Sequence, residues 1–161
     1  MSHEAHHFAC RTRWTGAAVG GTTDYETYSR EVHVEVAGKP PLTMSAAPVF
    51  RGDATLHNPE DLLLAALSAC HFLSYAALCA RSGVVMIAYD DDATATMEEV
   101  AHVTKFTKVV LRPNVVLVAG TTAQKADLAE RLHEKAHREC FIASSVNFPV
   151  TFTARIRLAN P

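Results

Sequence analysis

The chain carries no excess of charge. Its 15 Lys and Arg against 17 Asp and Glu leave a formal net charge of -2 and a pI near 6.5 over 161 residues. Lys and Arg are not clustered, as they are on surfaces that bind nucleic acid or anionic membranes, so neither is an expected partner. Neither G-x-G-x-x-G nor a P-loop pattern occurs, which removes the usual nucleotide and flavin sites. There is no internal repeat, low-complexity run or interdomain linker. The first residues, "MSHEAHHFACRTRW", lack the apolar segment of a signal peptide, and the expected location is the cytoplasm. In that reducing compartment Cys10, Cys70, Cys79 and Cys140 do not read as a structural disulfide framework. Any pairing among them is expected to be transient and chemical.

What is present is one domain's worth of chain, expected to span 1–161, long enough to bury a core without a metal or disulfide. Apolar residues make up 48% and charged residues 20%. "HFACRTRW" alternates Phe8, Cys10, Thr12 and Trp14 with basic residues, and "REVHVEV" alternates Val32, Val34 and Val36 with Glu31, His33 and Glu35. Each predicts a strand with one buried and one wet face. "AGKPPLTM" and "SAAPVFRGDATLH" carry enough Pro and Gly to predict loop. "VVMIAY", "ATATM" and "TKFTKVVLRPNVVLV" predict two or three strands, with "DDD" and "MEEVAH" as exposed turns. "FPVTFTARIRL" predicts one closing strand with Phe152, Ala154, Ile156 and Leu158 on one face.

Two helices stand out. "NPEDLLLAALSACHFLSYAALCARSG" begins with a capping Asn58, Pro59 in the first turn, and Glu60 and Asp61 at the positive end of the helix dipole. It ends at Arg81, with Gly83 as a C-cap. Between Leu62 and Ala80 it carries no Asp, Glu, Lys or Arg for nineteen residues. That passes the length test for a membrane span. Its Ala, Ser and His content, its lack of basic flanks and the amphipathic strands around it predict instead a helix buried in the core or in a subunit interface, with no membrane insertion. The second helix starts near Thr121 or Thr122 and aligns Ala126, Ala129, Leu132, Ala136 and Cys140 on an apolar stripe, with a charged face opposite. Strands, apolar helix, strands, amphipathic helix and strand in that order predict an α+β fold with antiparallel sheets.

Two patterns bear on chemistry. "HEKAH" matches the zinc-hydrolase motif H-E-x-x-H through His133, Glu134 and His137, since residues four apart share a helix face. It lies on the charged helix, where His and Glu are ordinary surface choices, and no third ligand follows at a familiar spacing. The second pattern is the cysteines. A buried Cys is usually an inert small hydrophobe, the expectation for Cys10 and Cys79. Cys70 and Cys140 instead occupy apolar faces of two different helices, and packing those helices together makes them candidates for a reversible pair. His71, about 100° round the helix from Cys70, reads as a hydrogen-bonded core or interface histidine.

"NPEDLLLAALSACH" and "AHRECFIASSVNFPV" resemble the two signature segments of the OsmC/Ohr family of organic hydroperoxide reductases. The likeness extends more loosely through "RTRWTG", "YSREVHV" and "FRGD". It implies sheets around a long central helix with a second amphipathic helix, in the order βββ-α-ββ(β)-α-β, as an intertwined homodimer. It also implies Cys70 as the residue that attacks the peroxide and Cys140 as the one that resolves the intermediate. A cationic side chain, Arg30 or else Arg51, serves Cys70, and Glu60 tunes that Arg. Arg30 is favoured because it precedes a strand and is aimed rigidly. No cofactor is implied beyond an external dithiol reductant of lipoyl type.

The residues agree with this chemistry. A free thiol is mostly protonated at neutral pH and burial on an apolar helix disfavours the thiolate further, so a reactive thiol there needs a cation delivered from elsewhere. Ten residues of straight helix span about 15 Å, too far for Glu60 and Cys70 of one helix to serve a single small site. A C2 homodimer with sites at the interface is therefore expected. Leu67, Phe72, Leu73 and Phe141 are expected to line the site for an alkyl or lipid hydroperoxide. Two other classes remain beside this one: a zinc hydrolase built on "HEKAH", and a non-catalytic small-molecule-binding or stress protein of the same fold.

Overall fold

A computed structural model describes residues 5–160. The chain divides into two compact units between Leu62 and Leu63. The first holds a three-stranded antiparallel sheet, in order β1 (Arg11–Trp14), β2 (Val32–Glu35) and β3 (Leu42–Met44). Strand β3 corrects the loop expected for "AGKPPLTM". The chain turns at Val36–Lys39, where the Lys39 N–H reaches the Val36 carbonyl at 3.0 Å and Gly38 takes a left-handed φ of 76°. Leu42 thereby falls opposite Val34. The buried face expected for "HFACRTRW" is not buried: β1 is exposed throughout and Phe8 is 95% exposed. Alternation marks a face as apolar, but it does not say that anything in the chain covers it. Beyond β3, Ser45 and His57 pair through their backbones at 2.9 Å. Gly52 is required here, because a Cβ would collide with the Ala46 backbone.

The helix α1 (Pro59–Arg81) begins in the first unit and continues into the second. Its start is specified as expected. The Asp61 N–H donates to Asn58 Oδ1 at 2.8 Å and the Asn58 N–H to Asp61 Oδ2 at 3.4 Å, a reciprocal cap. Its end is a left-handed Gly83, φ 63°, after which the Val84 N–H returns to the Cys79 carbonyl at 3.0 Å.

The second unit holds β4 (Met86–Asp91), β5 (Thr94–Val100), β6 (Val103–Leu111), β7 (Pro113–Leu117), α2 (Ala123–Glu139), β8 (Val150–Phe152) and β9 (Arg155–Leu158). They form two sheets, β4-β7-β9 and β5-β6-β8. The α+β architecture with two helices is the expected one, with one addition: β6–β8 and β7–β9 pair in parallel. Helix α2 is the crossover that makes this possible, since parallel neighbours need a long connection. The runs "TKFTKVVLRPNVVLV" and "FPVTFTARIRL" each step from one sheet to the other, at Arg112 and at Thr153–Ala154, so each is two strands. "DDD" and "MEEVAH" are also mostly strand, and the turn narrows to Ala101 and His102, both with positive φ.

Two apolar clusters line α1. Tyr75, Leu78 and Cys79 pack with Val115 and Leu117 of β7 and with Ala129, Leu132 and Ala136 of α2. Leu67 packs with Val109 and Leu111 of β6 and Val150 of β8. Long and apolar enough to cross a membrane by composition, α1 thus buries one face in the chain's own core. The all-round burial expected of it is not found within one chain: Ala65, Ala69, Leu73 and Ala77 are exposed, Leu73 by 64%.

Candidate active site

Cys70 lies on α1 between the buried and exposed faces, and Cys140 caps the C-terminus of α2. Both are free thiols, and they stand beside each other. Cys140 is 1% exposed. Burial above all, and then the neighbouring Cys70 thiol, push its pKa up to about 11, partly offset by the Ala143 N–H that donates to its sulfur at 3.4 Å. The segment after it is tied down locally: the Ser144 N–H and hydroxyl both reach the Cys140 carbonyl at 3.0 Å. Cys140 is therefore fixed, protonated and shielded, whereas Cys70 opens onto solvent.

The opening is a groove of about 710 Å³ that runs along α1 past Cys70. Ala66, Ala69, Leu73, Ser74 and Ala77 form its floor, Phe141 and Ile142 a wall, and Arg81, Arg138 and Glu139 its polar rim. Leu73 and Phe141 line it as the sequence suggested. Leu67 and Phe72 do not, because Leu67 is fully buried and Phe72 packs at a tilt against Tyr89 with centroids 4.7 Å apart. The two rim arginines escaped the sequence reading, although Cys70, Leu73, Ala77 and Arg81 share a helical spacing and Arg138 stands two residues before Cys140.

A histidine pair joins α1 to α2. His71 Nε2 and His133 Nδ1 are 3.0 Å apart, both rings fully buried, and His133 stacks on Tyr75 at 3.8 Å. Burial lowers the His71 pKa to about 4, assisted by His137 and opposed by Asp91. Burial, assisted by His71, lowers that of His133 to about 3. His71 is thus the hydrogen-bonded core histidine expected. His133 is not the surface residue that its charged helix suggested, because it sits on the buried stripe with Ala129, Leu132 and Ala136. Glu134 is exposed, and among the described residues no three His, Cys, Asp or Glu side chains converge as a metal site would require. The geometry does not support the zinc reading.

Asp91, taken from sequence as part of an exposed turn, instead anchors α1. The Ser68 hydroxyl donates to Asp91 Oδ2 at 2.5 Å and the Arg112 N–H to Oδ1 at 2.6 Å. Cys79 is a core residue as expected, its thiol pKa raised by burial. Cys10 is exposed, against the packing role expected of it.

The arginines and Glu60 belong to the first unit. The Arg30 guanidinium donates to the carbonyls of Tyr28 at 2.9 Å and Tyr25 at 2.7 Å and lies over both tyrosine rings, 4.0 Å from that of Tyr28. It is held rigidly ahead of β2. Arg51, in a left-handed conformation with φ 65°, is ion-paired with Glu26. Glu60 Oε2 is buried without a hydrogen-bond partner among the described residues.

A two-helix α+β chain with adjacent free thiols, one midway along the first helix and one at the end of the second, defines a class, and comparison with known proteins places it. The profile of the OsmC-like protein family matches residues 52–155, and the chain belongs to that family, which includes organic hydroperoxide resistance proteins. An OsmC-like protein of unknown function from Vibrio cholerae is 30% identical. Its structure matches 94% of this chain and 100% of its own with a TM-score of 0.85. The uncharacterized protein YmaD of Bacillus subtilis is 26% identical over 95% of this chain and 96% of its own. The organic hydroperoxide resistance protein OhrB of Bacillus subtilis shares the fold at 16% identity, with a TM-score of 0.61 over 94% of this chain and 98% of its own.

Proposed function

We propose that the protein is a thiol-dependent peroxidase that reduces organic hydroperoxides to alcohols. The observation that carries this reading is the asymmetry of the thiol pair: Cys70 faces an open apolar groove while its neighbour Cys140 is buried and held protonated. The Cys70 thiolate attacks the distal oxygen of R–OOH. The O–O bond breaks, R–OH leaves after taking up a proton, and Cys70 becomes a sulfenic acid. The Cys140 sulfur then displaces the hydroxyl, giving a Cys70–Cys140 disulfide and water. A dithiol, of lipoyl type by the resemblance, reopens the disulfide by exchange and is itself oxidised. The net reaction consumes one hydroperoxide and one dithiol and yields one alcohol, one water and one cyclic disulfide.

Arg30 is the favoured cation for Cys70, with Arg51 the alternative and Glu60 its carboxylate partner. The rigid seating of Arg30 and the partnerless Glu60 Oε2 support these roles. The apolar face that α1 leaves exposed supports a C2 homodimer. The test is a titration of reduced protein with one equivalent of cumene hydroperoxide, followed by peptide mapping without reductant. A Cys70–Cys140 disulfide within seconds, absent in Cys70→Ser, is the expected result. Two free thiols after minutes would leave the binding-protein reading in its place.

A further inference from the structure

Hydrophobic attraction is non-directional, so two helices held by it alone can slide and turn against each other. The contacts of Tyr75, Leu78 and Cys79 on α1 with Ala129, Leu132 and Ala136 on α2 are of that kind. The bond between His71 Nε2 and His133 Nδ1 is not. At 3.0 Å it is the only side-chain hydrogen bond from α1 to α2 among the described residues, and hydrogen bonds weaken steeply as they bend. The two ring planes lie within 6° of each other with centroids 5.3 Å apart, the spacing of rings that meet end to end through those nitrogens rather than face to face. Tyr75 stacks on His133 at 3.8 Å, and Phe152 lies 5.4 Å from His71 and 5.8 Å from His133, which fixes both planes.

As packing alone the pair is a poor choice. Its far nitrogens, His71 Nδ1 and His133 Nε2, are buried with no hydrogen-bond partner among the described residues, a cost that two apolar side chains would avoid. What the pair supplies is register between the helices that carry the thiols. His71 directly follows Cys70, and His133 precedes Cys140 by about two helical turns on nearly the same face of α2. Resting on the reading of Cys70 and Cys140 as the reacting pair, we infer that His71 and His133 are positioning residues. Their hydrogen bond locks α1 against α2 in the one rotation and slide that sets the Cys70 sulfur beside the Cys140 sulfur, ready for the disulfide to close. The effect therefore falls on the step that needs both thiols and not on the reactivity of Cys70 by itself.

The test reads closure without a peroxide. Diamide converts a dithiol to a disulfide: one thiolate adds across its N=N bond, the second sulfur displaces the nitrogen, and the reagent leaves as the hydrazine. Closure is followed by acid quench and peptide mapping of Cys70–Cys140, and iodoacetamide alkylation reports each thiol separately. His71→Leu/His133→Leu removes both polar rings together and is expected to slow closure by about tenfold or more, while Cys70 is alkylated at the wild-type rate and Cys140 stays shielded. His71→Gln/His133→Asn, whose amides place a donor or acceptor where Nε2 and Nδ1 stood, should recover most of the lost rate. Wild-type closure in the double Leu variant, with Cys140 still shielded, overturns the proposal. So does slow closure that the Gln and Asn pair does not rescue, since the loss would then belong to ring volume. Should the double Leu variant expose Cys140 to alkylation, its fold is lost and His71→Gln is compared with His71→Leu, where equal closure rates overturn the proposal. A wild type that closes with diamide but not with cumene hydroperoxide ends the peroxidase reading and leaves the positioning role standing. A wild type that closes with neither oxidant overturns both.

Discussion

At the scale of single residues the two thiols differ in environment, Cys140 buried and Cys70 on the groove, and the proposed chemistry assigns them different steps. Cys140→Ser is expected to retain the first reaction, so one equivalent of cumene hydroperoxide should leave a Cys70 sulfenic acid that dimedone traps, whereas wild type should give the disulfide and no adduct. Cys70→Ser should give neither. Trapping on Cys140 in that variant would reverse the assignment. The histidine pair makes a second prediction, about stability. His71 and His133 have folded pKa values near 4 and 3, below the ordinary 6.5. The unfolded chain therefore binds more protons than the folded chain once the pH drops below about 6.5. Their contribution to stability is complete above that pH and is lost progressively as the pH falls toward 4 and then 3. Urea melts between pH 7 and pH 4 should show a falling midpoint, with a shallower slope in His133→Gln. An unchanged midpoint over that range would mean that these rings are not buried and neutral in solution.

At the scale of elements, α1 is specified at both ends and along one face. Asn58→Ala removes the acceptor of the Asp61 N–H and should cost about 1 kcal/mol. Leu67, fully buried against β6 and β8, should cost about 2–5 kcal/mol on truncation to Ala. Chemical denaturation measures both, and a Leu67→Ala loss below that of Asn58→Ala would contradict the packing described. Sequence reading succeeded best for this helix and for α2, whose start near Thr121 or Thr122 and apolar stripe were both legible, because helix starts and a 3.6-residue period are local signals. It did less well on strands. β3 hid behind Pro40 and Pro41, and the long runs around Pro113 and Ala154 concealed a change of sheet, since a continuous β-branched run looks the same whether or not the chain bends between two sheets.

At the scale of the whole molecule, the exposed Ala65, Ala69, Leu73 and Ala77 face of α1 bears on assembly. A second copy seated near Cys70 would roof that end of the groove and bury apolar surface that one chain leaves wet, so sedimentation equilibrium at micromolar concentration is expected to give twice the mass of the 17.5 kDa chain. Ala65→Glu, which sets a carboxylate on that face, should shift the mass toward the monomer. A monomeric mass for wild type would remove the dimer.

The sequence by itself determined the family, the two helices, the cap of the first and the α+β class, because each rests on signals carried by neighbours along the chain. Only the tertiary structure decided which of them meet. It set Cys70 on a groove and Cys140 beneath cover, turned His133 from a charged helix into the core against His71, moved Leu67 and Phe72 away from the site and brought Arg81 and Arg138 to its rim. Those outcomes depend on how far α1 and α2 rotate about their own axes when they pack on the sheets, a quantity set by side-chain volumes far apart in the chain.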